Sequence, residues 1–406
     1  MKIPFSPPYI DDDVIREVTD SLRSGWITTG PKVKALEEEI ADFICCPQAI
    51  AVNSWTSGAI LSLKWFGLKA GDEVIVPAYT YCATAMAVMD CGATPVMVDI
   101  NEDLTIDVEE VERAITNKTK AILPVDLAGQ PCDYNKLRQI INKPEIQKLF
   151  NPENEIQKTL NRILLISDSA HSIGAKANGK NVAELVDIAV LSLHAVKNIT
   201  SAEGGVICLN LPKQFNNESL KKWFKMMSLN GQTKDAFTKS QAGSWRYDIV
   251  EQGMKINMPD VNAAIALSQL QKYNYLLQER KRVYDRYRSF LQKYDWSILP
   301  YQNKDNTKQA SYHLFPLRIK GISEKQRNEI INFMAEKEIA TNVHYIPMPL
   351  LTLFKNKGYD INNYPKSFAV YKQEISLPLY PQLTNEEIDF VLENLVLAYE
   401  SVINKL

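Results

Sequence analysis

Between residues 50 and 209 the sequence alternates short apolar runs with longer stretches of helical period, and this alternation constrains the fold more than any other feature. The runs 50–52, 73–76, 95–99, 121–125, 163–167, 188–193 and 206–209 predict strands. Between them, 56–66, 82–89, 108–115 and the polar stretch 134–160 predict helices. Strand–helix alternation implies βαβ units, so the first half is expected to be α/β with a mainly parallel central sheet. After about residue 250 the alternation stops. There, 260–287 reads as one long amphipathic helix, 312–319 as a strand, 324–337 as a helix, and a final helix begins at Asn385. This part predicts a smaller α+β domain, which divides the chain into 1–250 and 251–406. The polar segment 141–162 reads as a surface insertion.

The bulk numbers exclude several function classes. With 45% apolar and 23% charged residues the chain is globular rather than disordered, and a net charge of −2 offers nothing in bulk to a nucleic acid. The N-terminal MKIPFSPPYIDDD lacks the apolar centre of a secretion signal. No apolar run reaches the roughly 18 residues that a membrane helix needs. Six cysteines stand at 45, 46, 82, 91, 132 and 208 without metal-type spacing, and only four histidines could join them. The expectation is a cytoplasmic protein with reduced thiols, no metal and no membrane partner.

Three short segments carry chemistry. Asp168 follows the apolar run ILLIS, at the strand end where open α/β sheets bind ligands, or else it caps the following helix. Lys197 follows the run IAVLSL and precedes Thr200-Ser201-Ala202-Glu203-Gly204-Gly205. Small residues there allow the tight, partly desolvated setting that keeps an amine neutral and nucleophilic. Asn53-Ser54-Trp55-Thr56-Ser57-Gly58 opens a helix after a strand, as a phosphate site or as ordinary capping. Together these elements match the needs of pyridoxal 5'-phosphate: a helix N-terminus for the phosphate, a carboxylate for the ring nitrogen, a lysine for the aldehyde. Trp245-Arg246-Tyr247-Asp248 reads either as a contact for a nucleotide diphosphate or as a surface turn.

In order and wording the sequence resembles the sugar aminotransferases of the DegT/DnrJ/EryC1/StrS family. The resemblance starts at SGWITTGP (24–31) and runs through AVNSWTS, GDEVIVPAYTYCATA, PVDLAGQPCD, SDSAHSIGA, SLHAVKNITSAEGG and NMPDVNAA. It closes with HYIP (344–347) and SLPLYPQLT (376–384). It implies a fold-type-I transferase acting as a homodimer with shared active sites. It further implies that Lys197 holds the cofactor, Asp168 partners the pyridine nitrogen, and His171 lies near the ring hydroxyl. Thr56, Ser57 and Ser192 match phosphate contacts, Tyr81 the aromatic stacked on the ring, and Asn257 a phosphate contact from the other subunit. Trp26, Thr28, Trp245, Arg246, His344 and Tyr345 are candidate substrate contacts. His313, in a strand-like run, reads as a satisfied core histidine.

The implied reaction moves an amino group from an amino acid, glutamate in the family, to a nucleotide-linked keto sugar such as a 4-keto-6-deoxy hexose. The product would feed polysaccharide, lipopolysaccharide or other amino-sugar synthesis. A sugar dehydratase of the same family is the first alternative, although such members carry histidine where Lys197 stands. A regulatory homologue that binds without turnover is the second. Trp55 departs from the family by replacing a small residue, Asp126 stands where histidine is frequent, and Met348-Pro349 replaces a frequent histidine.

Overall fold

Short apolar runs form strands here because both their faces can be covered. A computed structural model describes residues 1–234, 245–300 and 307–403. Its strands are β1 (Gln48–Val52), β2 (Glu73–Pro77), β3 (Thr94–Val98), β4 (Thr119–Ile122), β5 (Leu164–Asp168), β6 (Lys176–Ala177), β7 (Lys180–Asn181), β8 (Ile188–Ser192) and β9 (Gly205–Leu209). In the later part follow β10 (Ser297–Ile298), β11 (Lys308–Gln309), β12 (Phe315–Ile319) and β13 (Glu374–Leu377). The main sheet has the order β1-β9-β8-β5-β4-β2-β3. β8, β5, β4, β2 and β3 are parallel neighbours, whereas β9 runs antiparallel to both β1 and β8. The sheet is therefore mainly parallel. All five residues of β5 are buried, as expected for a central strand covered on both faces.

A second apolar cluster gathers Val283, Tyr287, Phe315, Leu317, Ile375 and Leu395 around the small antiparallel sheet β10-β12-β13, and Ile3 joins it from the N-terminus. The expected helix 260–287 is in fact two, Asp260–Gln271 and Tyr273–Leu291, joined at Lys272 with φ −104° and ψ 4°. The first packs Ala263, Ala266 and Leu270 into the large core, and the second carries Val283 and Tyr287 into the smaller one. No glycine or proline marks this break, so the apolar period runs through it in the sequence.

The polar stretch 134–160 also differs from its reading. It forms three short helices, Tyr134–Ile141, Pro144–Leu149 and Glu155–Leu160, and Asn161 closes the last in a left-handed conformation. The segment is not merely superficial: Ile146, Phe150 and Leu160 are buried in the main core. Buried Gln157 donates its Nε2 to the Phe66 carbonyl at 2.9 Å, which satisfies an acceptor at the end of helix Trp55–Trp65.

Two helices, Asp12–Arg23 and Pro31–Phe43, are joined by the strap 24–30 and pack on helix Asp260–Gln271. Asp260 holds this junction. Its carboxylate accepts from the backbone N–H groups of Gly30 at 2.8 Å, Lys32 at 3.0 Å and Val33 at 3.0 Å. A side chain distant in sequence thereby caps helix Pro31–Phe43, whose own N-cap, Gly30, has no side chain to do so. Asp260→Ala strands these donors in a buried place and should lower stability by about 1–3 kcal/mol. Denaturant titration checks this, and an unchanged midpoint contradicts it.

Candidate active site

Parallel pairing of β5 with β8 sets Asp168 opposite Val190 and brings the C-terminal ends of both strands to one edge. Asp168 is the last residue of β5, and Lys197 lies five residues beyond the end of β8. Both line a cavity of about 530 Å³ with Trp55, Thr56, Tyr81, His171, Ser192, His344 and Tyr345.

The electrostatics of this cavity follow from desolvation. Asp168 is 5% exposed and accepts from Thr84 Oγ1 at 2.8 Å and Ala170 N at 3.2 Å. Burial outweighs these neutral donors and the pull of Lys197, and pushes its carboxyl up to about 7. Burial likewise brings Lys197 down to about 8, although the charge of Asp168 opposes this. A buried carboxylate and a partly neutral amine thus face one space. His171 is neutral, its pKa held well below the usual range by burial and by Lys197. Its Nδ1 accepts from Ala128 N at 3.2 Å, which leaves the proton on Nε2, 3.2 Å from the Tyr345 hydroxyl.

The start of helix Trp55–Trp65 supplies the opposite chemistry. Ser54 Oγ accepts from Ser57 N at 3.1 Å, while the N–H groups of Trp55 and Thr56 find no acceptor among the described residues. Free N–H groups at a helix start form an anion site. Gly205 lets β9 approach this turn: a Cβ there would stand 2.5 Å from the Ser54 carbonyl carbon and 2.6 Å from Trp55 N. The indole N–H of Trp55 is buried without a partner among the described residues.

The structure gathers Thr56, Tyr81, Asp168, His171, Ser192, Lys197, His344 and Tyr345 on this one cavity. Tyr81 is 60% exposed, and its ring centroid lies 6.0 Å from that of Tyr345. Ser57 turns to Ser54 instead, with their hydroxyls 2.9 Å apart. Asn257 and Thr28 line a separate cleft of about 800 Å³, where Asn257 Nδ2 donates to Thr29 Oγ1 at 2.6 Å. Trp26 donates its indole N–H to the Thr29 carbonyl at 3.1 Å. Trp245 and Arg246 lie exposed and outside the cavity, the guanidinium 5.5 Å from the indole centroid. His313 is buried, with Nδ1 2.8 Å from Asn198 Oδ1, as a satisfied core histidine should be. Asp126, where the resemblance favours histidine, is buried among donors: Cys132 N at 2.9 Å, Tyr134 Oη at 2.6 Å and Ser172 Oγ at 2.7 Å.

Sequence reasoning missed Thr84, whose only signal was a hydroxyl in the small-residue run CATA at the start of a helix. It also missed Glu203, which lines the cavity 3.5 Å from the imidazole of exposed His194. The residues present fit pyridoxal phosphate. Free helix-start N–H groups suit a phosphate, the under-compensated Asp168 suits a protonated ring nitrogen, and the desolvated Lys197 suits an aldehyde.

Comparisons with known proteins agree with this fit. The model of the DegT/DnrJ/EryC1/StrS aminotransferase family matches residues 8–150 and 154–396. Spore coat polysaccharide biosynthesis protein SpsC of Bacillus subtilis is 32% identical over 399 residues, covering 96% of this chain and 95% of SpsC. Spr1654 of Streptococcus pneumoniae, assigned as a sugar aminotransferase, has an apo structure with a TM-score of 0.94 and 44% identity, covering 100% of this chain and 99% of that one. Its structure in the PLP form superposes with a TM-score of 0.93 at 43% identity, covering 99% of this chain and 100% of the other.

The amine pKa offers a direct check. Competitive labelling of the cofactor-free protein with an acylating reagent should give Lys197 a midpoint near 8, well below the roughly 10.4 of an exposed lysine. Asp168→Asn removes the charge that favours the ammonium form, so the midpoint should fall further. A Lys197 midpoint near that of surface lysines contradicts the desolvated setting.

Proposed function

This chain belongs to the DegT/DnrJ/EryC1/StrS aminotransferase family and is a pyridoxal-phosphate-dependent sugar aminotransferase, and from that premise we propose its substrates and the roles of its residues. The amino donor is glutamate, the acceptor is a nucleotide-linked keto sugar of the 4-keto-6-deoxy hexose type, and the reaction runs in the cytoplasm. The product enters a surface polysaccharide, a reading supported by the likeness to SpsC. The observation that carries the assignment is the shared cavity of Asp168 and Lys197, each displaced toward its neutral form by burial.

Pyridoxal phosphate, when bound, supplies an aldehyde carbon that amines can join and a ring that accepts electron density. Lys197 anchors that carbon through Nζ. With that group bound, Nζ of Lys197 would be placed to take the proton from the donor α-carbon and to give one to the sugar carbon that receives the amine. A pKa near 8 suits both tasks close to neutral pH. Asp168 keeps the ring nitrogen protonated, and Thr84 holds the carboxylate in place through its hydroxyl. Thr56, Ser192 and the free N–H groups at the start of helix Trp55–Trp65 take the phosphate, with Ser57 bracing Ser54 behind them. Tyr81 would cover one face of the ring, and His171 would meet its hydroxyl. His344 and Tyr345 face the sugar, while Trp26, Thr28, Trp245 and Arg246 belong to the surface that receives the nucleotide.

Asn257 is assigned to the phosphate of a twofold-related partner, so the working unit is a homodimer. Its position on a cleft separate from the cavity of its own chain supports this. Lys197→Ala and Asn257→Ala chains, each with little activity alone, should regain activity when mixed and exchanged, because the heterodimer has one site with both residues intact. No recovery after proven exchange contradicts the shared site. The reaction itself is tested by incubating wild-type protein with glutamate and a panel of nucleotide-linked 4-keto sugars, identifying products by mass spectrometry and NMR. An amine in place of the keto oxygen supports the proposal. A deoxygenated carbon with the keto group retained indicates the dehydratase instead.

A further inference from the structure

Glu374 is the first residue of β13 and is fully buried, yet nothing in the reaction outlined above uses it. Its two oxygens are both engaged. One accepts the backbone N–H of His344 at 2.9 Å, and the other lies 2.5 Å from Ser376 Oγ. The same Ser376 hydroxyl lies 2.9 Å from His344 Nδ1. Backbone pairing between Asn342 and Ser376 clamps the loop of His344 against β13 and holds the three groups in line. Phe5 stacks on the imidazole at 5.4 Å between centroids, and Tyr345 meets it edge-on at 4.9 Å. His344 lines the cavity that holds Lys197.

We propose that Glu374 and Ser376 form a positioning relay that decides which ring nitrogen of His344 carries the proton, and so whether His344 meets a sugar oxygen as a donor or as an acceptor. Ser376 has a single hydroxyl proton and two neighbours that can take it. When Glu374 is ionised, Ser376 donates to the carboxylate and must accept from His344 Nδ1–H, which leaves Nε2 as a lone pair. When Glu374 is neutral, its own proton goes to Ser376 Oγ, and Ser376 then donates to Nδ1. The imidazole proton now sits on Nε2, which becomes a donor. The histidine stays uncharged in both states, because burial and Lys197 bring its pKa down to about 3.

The groups facing Glu374 leave the neutral state dominant near neutral pH. Burial pushes its carboxyl up to about 8, against the Ser376 and His344 hydrogen bonds and against Arg327. Arg327 gives its Nη1 hydrogen bonds to the backbone carbonyls of Glu374 and Tyr371 rather than to the carboxylate. Tyr79 and Tyr345 face the same pocket, with hydroxyl pKa values held above the ordinary range by burial, so they remain uncharged. His344 therefore presents Nε2–H below about pH 8 and a lone pair above it.

Placing a sugar oxygen opposite Nε2 rests on the proposed substrate, but the tautomer itself does not, so the two can fail separately. The test is NMR of the full-length, cofactor-loaded enzyme labelled with 15N-histidine. With four histidines in the chain, His344→Gln identifies the resonances. The wild type should move its imidazole proton from Nε2 to Nδ1 as pH rises through about 8. Glu374→Gln should hold the proton on Nε2 throughout, because the amide can donate to Ser376 at every pH. Ser376→Ala, a second route should the glutamine variant fold poorly, should abolish the pH-dependent exchange. A single tautomer for wild-type His344 from about pH 6 to about pH 10, or exchange that survives in either variant, overturns the relay. As a second readout, kcat/KM for the keto sugar in Glu374→Gln, divided by the wild-type value at each pH so that the shared titration of Lys197 cancels, should change across about pH 8. If the tautomer shifts while that ratio stays flat across about pH 8, the relay stands and the contact between His344 and the sugar is wrong.

Discussion

Everything in this active site depends on the desolvation of two opposite charges at one sheet edge. Parallel pairing of β5 and β8 delivers Asp168 and Lys197 to the same side, and the packing around them removes water from both. In the cofactor-free protein this arrangement is unfavourable. Raising a buried Asp from its ordinary 3.8 to about 7 means that stability present at low pH is progressively lost as pH rises through that window. A cation held against Asp168 removes the penalty, so the same strain that weakens the empty protein favours binding of a ring with a protonated nitrogen.

The surrounding residues hold this geometry rather than react. Asn198, beside Lys197, donates to Tyr273 Oη at 3.1 Å and to the Ser311 carbonyl at 2.8 Å, and bonds His313 as well. Gln269 accepts from Thr200 N at 3.0 Å and donates to the Tyr9 carbonyl at 3.0 Å. The turn that carries Lys197 is thus tied to helix Asp260–Gln271 and, through Gln269, to the chain at Tyr9 ahead of helix Asp12–Arg23. That helix is in turn joined to the strap through the Asp260 cap. The turn of Lys197 is therefore braced by Gln269, on the same helix whose Asp260 caps helix Pro31–Phe43.

Strands were legible in the sequence because a strand buried on both faces must be a short, nearly continuous apolar run, as in β5 and β8. Lys197 and Asp168 were legible because each follows such a run. Other features left weaker traces. Helix Asp12–Arg23 is mostly polar, with two buried residues, and its support comes from tertiary packing. The break at Lys272 follows from two cores pulling on consecutive helices, and no local residue signals it. Within 141–162 the buried Gln157 is polar and finds its partner in a carbonyl far away in the chain, which no local pattern signals. Thr84 and Glu374 escaped notice for a similar reason: each matters through a hydrogen bond that only the folded chain creates.

Lys197 is the amine proposed to hold pyridoxal phosphate. Reduction of the loaded enzyme with borohydride, followed by proteolysis and mass spectrometry, reads this directly. One pyridoxyl adduct per chain is expected, on the peptide containing Lys197, and none on that peptide in Lys197→Ala. An adduct on a different lysine of the wild-type enzyme, or stable cofactor loading with no reducible bond, would contradict it.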